Sequence, residues 1–357
     1  MKTEVRIDGT KFLVNGEPTY KGMSHDDRAI EGLLMNSRMV QAIFDDECPE
    51  TVVHWEYPDT GVWDADRNTD EFCAALPTYR EHGLLGVTVG LQGGGSIYRK
   101  DVGPVYENSA FREDGGLKPA YCARLSRVLE AADECGMIVI VNYFYIRQIK
   151  ALPTDEAVFA AAENASRWLL ESGYRNVLVD AANEAGRKWW GDRDLFTKER
   201  IHEVIEAAKR PVVDGRRLLV GASTLGGMNV ESPSWIEASD FLMPHGNGCT
   251  PEQIREKVRI TRATDEYKKR PMPILFNEDS ARLENMEAAV DEYCSWGYYA
   301  QGAGSREEPY DSTWGAEREK TYDALSGFQT VPVNWGINTE RKVEFFRRVK
   351  DITSGTS

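Results

Sequence analysis

The chain is poor in the residues that build most metal and redox sites. Its 357 residues include five histidines and six cysteines. The cysteines (Cys48, Cys73, Cys122, Cys135, Cys249, Cys294) stand singly, without CxxC spacing, which excludes a disulfide framework and reads as small, buried, reduced side chains. The histidines (His25, His54, His82, His202, His245) form neither HExxH nor HxH. Basic charge is also short: 43 Lys and Arg against 58 Asp and Glu leave a formal −15, which argues against a nucleic-acid or anionic-membrane surface. Apolar runs such as Met137–Val141 fall far below the ~20 residues of a membrane span. The opening MKTEVRIDG has no apolar signal core, so the expected location is cytoplasmic, or secreted with a signal peptide already removed. A GxSxG elbow and a P-loop are missing as well, which weakens Ser-hydrolase and phosphoryl-transfer chemistry.

What is present is a core-forming composition, 41% hydrophobic and 28% charged, and one recurring theme. Short apolar runs are followed by polar loops and then by amphipathic helical patterns, the signature of a parallel sheet with crossover helices. The start, Val5–Val14 around Asp8-Gly9, reads as a small β-hairpin. Strands are expected at Leu84–Leu91, Met137–Tyr143, Val177–Ala182, Leu218–Ala222, Phe241–Pro244, Pro273–Phe276 and Cys294–Tyr299, with a weaker first strand at Thr19–Met23. Helices are expected at Thr69–His82, Pro119–Cys135, Asp155–Ser172, Lys198–Arg210, Pro251–Lys269, Met286–Tyr293 and Thr339–Ile352, and a short one near Ser234–Ala238. Eight strands alternating with helices predict an α/β fold, a (β/α)8 TIM barrel forming one catalytic domain over 1–357. A doubly wound open sheet is the runner-up, but the Gly-rich dinucleotide turn after its first strand is missing. Long loops are expected after strand one (Ser24–Asn68) and strand eight (Ala300–Asn338), where barrels place walls and lids.

Two strands end alike. Strand four runs into Asn183-Glu184 and strand seven into Asn277-Glu278, followed by Asp279. A single Glu at such a place usually caps a helix, but two at the mouth of one barrel suit an acid and a nucleophile for glycosidic hydrolysis. In a retaining enzyme such a pair stands ~5–5.5 Å apart.

These residues carry a resemblance. The layout resembles clan A of the glycoside hydrolases, the retaining (β/α)8 β-glycosidases that include cellulase-like and β-galactosidase-like families. The resemblance implies Glu184 as acid/base, Asn183 as partner of the sugar 2-hydroxyl, and Glu278 as nucleophile, with no cofactor and no metal. Phe12–Gly22 (FLVNGEPTYKG) resembles the clan's opening hairpin and first strand, and IEGLLMNSRMVQAIFDDE, YPDTGVWDADRN and FQTVPVNWG are similar in style to bacterial members. His245 and Asn247 in PHGNG end strand six, where the clan places a contact to the nucleophile. Trp296 ends strand eight, where the clan has an aromatic floor for the sugar. One departure is Ala181-Ala182 before Asn183-Glu184, where many members have a polar group.

Sugar clefts mix aromatic rings with planar polar groups. Around the expected mouth stand His25, Asp26, Trp55, Tyr57 and Trp63, then Gln92 before Gly93-Gly94-Gly95, then Tyr143, Tyr145 and Gln148. Trp314, Phe328 and Trp335 lie in the last loop. Trp189 and Trp190 could wall the leaving-group side or fill the core. The glycine run reads as a tight loop beside substrate rather than a phosphate cradle. Arg28 and Arg38 could orient Glu278, or pair with acids such as Asp45 and Asp46. The expected partner is thus a β-linked glycoside or oligosaccharide, with exo action on short substrates suggested by the two long loops. Two other functions stay open: a silent barrel that binds carbohydrate without cleaving it, and a metal-dependent hydrolase or isomerase using His25-Asp26-Asp27 with His245.

Overall fold

The computed structural model describes residues 1–94, 106–186, 193–300 and 322–355. Six parallel strands hydrogen-bond in one sheet, in the order Leu219–Gly221, Val177–Ala182, Ile138–Phe144, Gly86–Gly90, Asn36–Arg38 and Gly297–Tyr298. Parallel bridges Ser223–Met243, Leu242–Ile274 and Leu275–Ser295 complete the circuit through the short strands expected near 241–244 and 273–276. The ring is therefore an eight-membered (β/α)8 barrel, and the open doubly wound sheet does not apply.

Alternation along the strands divides the core. Ile138, Ile140, Leu178, Phe241, Met243 and Leu275 form one apolar cluster, while Val139, Val141, Val177 and Val179 belong to the cluster shared with the outer helices. The N-terminal hairpin pairs Val5–Asp8 with Lys11–Val14 in antiparallel register, and Glu17–Pro18 adds a third strand. Its Val5 and Phe12 pack into the inner cluster and so plug the N-terminal end of the barrel.

The first strand is corrected by the structure. It is Asn36–Arg38, whereas Thr19–Met23 forms turns. Asn-Ser-Arg carries no apolar or β-branched signal, yet all three residues are buried because their polar groups find partners inside the barrel. The expected Ser24–Asn68 loop accordingly splits. Residues 24–35 precede the strand and carry the small hairpin Ser24–His25/Arg28–Ala29, and only 39–64 follow it. Of the expected last loop, 301–321 lie outside the described residues, including Trp314.

Helix ends follow local chemistry. Asp64, Thr154 and Thr339 accept from backbone amides at the starts of Ala65–Glu81, Asp155–Glu171 and Glu340–Thr353. Pro119–Glu134, Ile201–Lys209, Pro233–Ala238 and Leu283–Asp291 stand close to their expected positions. The pattern at Pro251–Lys269 is two helices: Thr250 and Gln253 form a capping box, and Thr264 ends Pro251–Ala263 while capping Asp265–Lys269. No helix among the described residues is long and apolar enough to cross a membrane.

Candidate active site

Toward the C-terminal ends of the strands the barrel interior turns polar. Above the apolar layer come Asn36, Arg38, Thr88, Asn142, Asp180, Ser223, His245 and Asn277, all nearly or fully buried. Period-two alternation puts His245 in line with Phe241 and Met243, and Asn277 in line with Leu275. The strand that looked least like a strand supplies the central cation.

Arg38 ties the two Asn-Glu turns together. Its Nε lies 2.6 Å from Glu278 Oε2, and its Nη2 donates to Asn183 Oδ1 at 2.7 Å. Asn247 Nδ2 donates to the other Glu278 oxygen, Oε1, at 2.9 Å. The Glu278 carboxylate is thus held from both sides. Burial works against the Arg38 charge, but Glu278, Tyr299 and Asp180 outweigh it and push the guanidinium pKa further up. The ring of Tyr299 lies 5.6 Å from the Arg38 guanidinium carbon.

Glu184 faces this pair across His245. Its side chain is 18% exposed against 6% for Glu278, and His245 Nδ1 stands 3.9 Å from Glu184 Oε1 and 3.7 Å from Glu278 Oε2. One ligand atom from each of Glu184, His245 and Glu278 falls within 4.8 Å of the others. Glu184 sits in the left-handed region at φ 55°, a conformation that is costly for a side-chain-bearing residue and that clusters at functional sites. Both ring nitrogens of His245, Arg38 Nη1, Asn247 Oδ1 and Asn277 Oδ1 are buried without a hydrogen-bond partner. Such groups gathered around two carboxylates are suited to a polyhydroxylated ligand.

Two loops supply close support. Gly246 approaches Asp279 so tightly that a Cβ there would lie 2.4 Å from the Asp279 carboxyl carbon. Asp279 accepts from Trp296 Nε1 at 2.7 Å, Ser280 Oγ at 3.0 Å and Asn285 Nδ2 at 3.1 Å. Burial nevertheless pushes its pKa up to about 6, against those donors and the charge of Lys257. Tyr145 borders the same space, its phenol pKa raised by burial, by Tyr106 and by the negative charges of Glu184 and Glu278.

Several expected site residues serve elsewhere. Arg28 does not reach Glu278; it pairs with Asp291 at 2.7 Å, Glu287 at 3.1 Å and Asp26 at 3.1 Å at the rim of Leu283–Asp291. Trp296 offers no surface to a sugar. It is fully buried, with its ring 6.4 Å from that of Phe345 and its indole nitrogen on Asp279. Gln92 is internal bracing: it donates to Ser109 Oγ and the Gln148 carbonyl and accepts from the Tyr145 amide. Asn277 is fully buried and donates to Asp180 Oδ2. Trp55, Tyr57, Tyr143, Phe328 and Trp335 fill the core. His25 stays on the peripheral hairpin beside Asp26, at 3.4 Å, and the acids facing His245 are Glu184 and Glu278. Gly95, Trp189 and Trp190 lie outside the described residues.

The sequence reading missed Tyr299, Gln329 and Asp180. Tyr299 is nearly buried beside Arg38 and its hydroxyl donates to Gln329 Oε1 at 2.8 Å. Gln329 and Gln41 both donate to the Gly94 carbonyl, joining the loops after strands one, two and eight. Asp180 did leave a signal, a carboxylate within the otherwise apolar run VLVDAA.

Fold and site together define a (β/α)8 barrel with a carboxylate pair at the C-terminal mouth. Among solved structures, the chain is similar to the endo-β-1,4-mannanase of Thermotoga petrophila, with TM-score 0.53, 12% identity, and 94% of this chain and 78% of that one covered. It is also similar to a GH5-4 broad-specificity endoglucanase from Clostridium longisporum, with TM-score 0.54, 8% identity, and 90% and 97% covered. A putative glycoside hydrolase from Bacteroides vulgatus matches with TM-score 0.53 and 11% identity over 98% of this chain, which spans 60% of that protein's length. At these identities the likeness shows the (β/α)8 barrel fold alone. No protein-family model and no curated protein matches the sequence.

Proposed function

We propose that the chain is a retaining glycoside hydrolase acting on β-linked glycosides or oligosaccharides, with the whole of 1–357 as one catalytic unit. The observation that carries this reading is the carboxylate pair: an oxygen of Glu184 and an oxygen of Glu278 lie within 4.8 Å of each other. That is close to the ~5–5.5 Å of retaining enzymes and well short of the ~6.5–9.5 Å that leaves room for an inverting water. The similar structures, a mannanase, an endoglucanase and a putative glycoside hydrolase, support it.

In this mechanism Glu278 attacks the anomeric carbon while the proton of Glu184 passes to the departing oxygen. A glycosyl ester forms on Glu278 as the glycosidic bond breaks. Glu184 then takes a proton from water, whose oxygen attacks the same carbon and releases Glu278. Arg38 and Asn247 hold the attacking carboxylate in one orientation, and Asn183, itself fixed by Arg38, presents its amide to the sugar 2-hydroxyl. The test is a panel of nitrophenyl β-glycosides and β-linked oligosaccharides. On a substrate found there, Glu278→Ala abolishes turnover, and azide restores it with an inverted glycosyl azide. A Glu278→Ala protein turning over at near the wild-type rate overturns the assignment.

The grouping of Glu184, His245 and Glu278 supports a second reading, a divalent-metal hydrolase. Against it, Glu278 Oε2 already faces the Arg38 cation and Oε1 the Asn247 amide, so a metal would have to displace both. Loss of activity in chelator, restored by one metal, would favour that reading.

A further inference from the structure

Asp180 sits below the carboxylate pair, fully buried and out of reach of any sugar. Its Oδ1 accepts from the Ser223 amide at 3.0 Å, and its Oδ2 accepts from Ser223 Oγ at 3.0 Å and from Asn277 Nδ2 at 3.3 Å. Each partner leads directly to one of the paired acids. Ser223 Oγ accepts from the Glu184 amide at 3.2 Å, and Asn277 is the residue before Glu278. The bond to Asn277 crosses the barrel interior, from the fourth strand to the end of the seventh. Neighbouring backbone bonds do not do this, since strands four and seven are separated in the ring by strands five and six.

We infer that Asp180 is a positioning residue, whose single carboxylate clamps the Glu184 turn through Ser223 and the Glu278 strand end through Asn277, and so sets the separation of the two acids. The inference rests on the proposed roles of Glu184 and Glu278. The chemistry of the clamp requires an acceptor on both Asp180 oxygens, because all three contacts are donors. The Ser223 hydroxyl has one proton and two acceptors in reach, Asp180 Oδ2 at 3.0 Å and the Ala182 carbonyl at 3.2 Å. A charged acceptor draws that proton, leaving the oxygen lone pairs toward the left-handed Glu184 turn. An amide at position 180 sets its Nδ2 against Nδ2 of Asn277, so the cross-barrel arm reforms only if the Asn277 amide turns over to present its unpartnered Oδ1. In either case the charge that draws the Ser223 proton is lost, while the Ser223 amide bond stays intact. A merely space-filling Asp180 would tolerate that exchange.

The test exchanges donor and acceptor across this bond. Asp180→Asn is expected to lower kcat at least about tenfold with KM changed by less than about threefold, as suits a group acting on the reacting geometry. Asn277→Asp, which buries two facing carboxylates, is expected to be worse. The double variant Asp180→Asn/Asn277→Asp restores the bond with its polarity reversed and is expected to recover most of the lost kcat, a non-additivity that independent effects cannot produce. Crystal structures read the pair without substrate: in Asp180→Asn the separation of the Glu184 and Glu278 carboxyl groups departs from that of the wild type, and in the double variant it returns. If Asp180→Asn is too unstable to assay, Ser223→Ala cuts the Glu184 arm alone and is expected to lower kcat with KM little changed. Wild-type kcat in a folded Asp180→Asn protein, or a double variant no better than the product of the singles, overturns the clamp. Absence of any glycosidase activity in the wild type overturns the catalytic roles instead, and the carboxyl separations in the crystal structures still decide the clamp: an unchanged separation in Asp180→Asn overturns it.

Discussion

Arg38 Nε stands 2.6 Å from Glu278 Oε2, and both side chains are almost completely buried. A charge pair removed from water is costly to form, and more costly to break from one side than to replace as a pair. Arg38→Met leaves the Glu278 carboxylate buried without its cation and Asn183 without its donor. The expected loss of stability is roughly 3–5 kcal/mol, read by urea denaturation, with activity falling below detection. Arg38→Lys keeps the charge but cannot reach Glu278 and Asn183 together, so it is expected to be better folded than the Met variant and still poorly active.

Asn247 supplies the neutral half of the Glu278 support. Hydrogen bonds to charged groups contribute about 1.5–3 kcal/mol. Asn247→Ala is therefore expected to lower kcat/KM by about ten- to a hundredfold, with little change in melting temperature because the residue is partly exposed. An unchanged kcat/KM would remove Asn247 from the site.

Arg28 provides the contrasting case. Its ion pairs with Asp26, Glu287 and Asp291 lie at a partly exposed rim, where such pairs contribute about 0–1 kcal/mol. Arg28→Ala is expected to leave kcat and KM unchanged and to lower stability only slightly, and less so at high salt.

Asp279 links stability to pH. Burial raises its folded pKa to about 6, above the ordinary 3.8. Between those values the folded chain holds a proton that the unfolded chain has lost, so this group makes stability fall as pH rises from about 4 to 6, and adds no further slope above that range. Asp279→Asn is expected to flatten this part of the stability–pH curve, measured by denaturation at pH 4, 5, 6 and 7. It would also remove an acceptor from Trp296, so the flattening is expected to come with a lower plateau.

How much of this was legible in the chain depends on what kind of signal each element carries. Strands three and four, Ile138–Phe144 and Val177–Ala182, are buried on both faces and therefore read as near-continuous apolar runs, which is why their ends and the Asn183-Glu184 turn could be located. The first strand could not. Asn36–Arg38 is polar because it lines the mouth, and a three-residue strand stabilised by contacts from Phe276, Asn183 and Glu278 has no local signature. The choice between Arg28 and Arg38 was likewise invisible, since the two lie ten residues apart and nothing local in SHDDR or in MNSRM says which of them faces the barrel interior. Trp296 misled for a related reason. Strand alternation decides which face a side chain takes, and the start of the eighth strand fixes that phase, putting Trp296 against Phe345 and Tyr299 beside Arg38.

By itself the sequence determined the barrel, the hairpin that plugs it, most helix boundaries and the two strand-end Asn-Glu pairs, because periodicity, capping residues and turn chemistry are local. The scarcity of histidine and cysteine likewise directed attention to carboxylates. Only the tertiary structure decided which cation meets Glu278, that His245 faces both acids, and that Asp180 bonds across the barrel to Asn277. Those relations join residues 33 to 240 positions apart, and closure of the ring, not any local preference, brings them within hydrogen-bond or ion-pair reach.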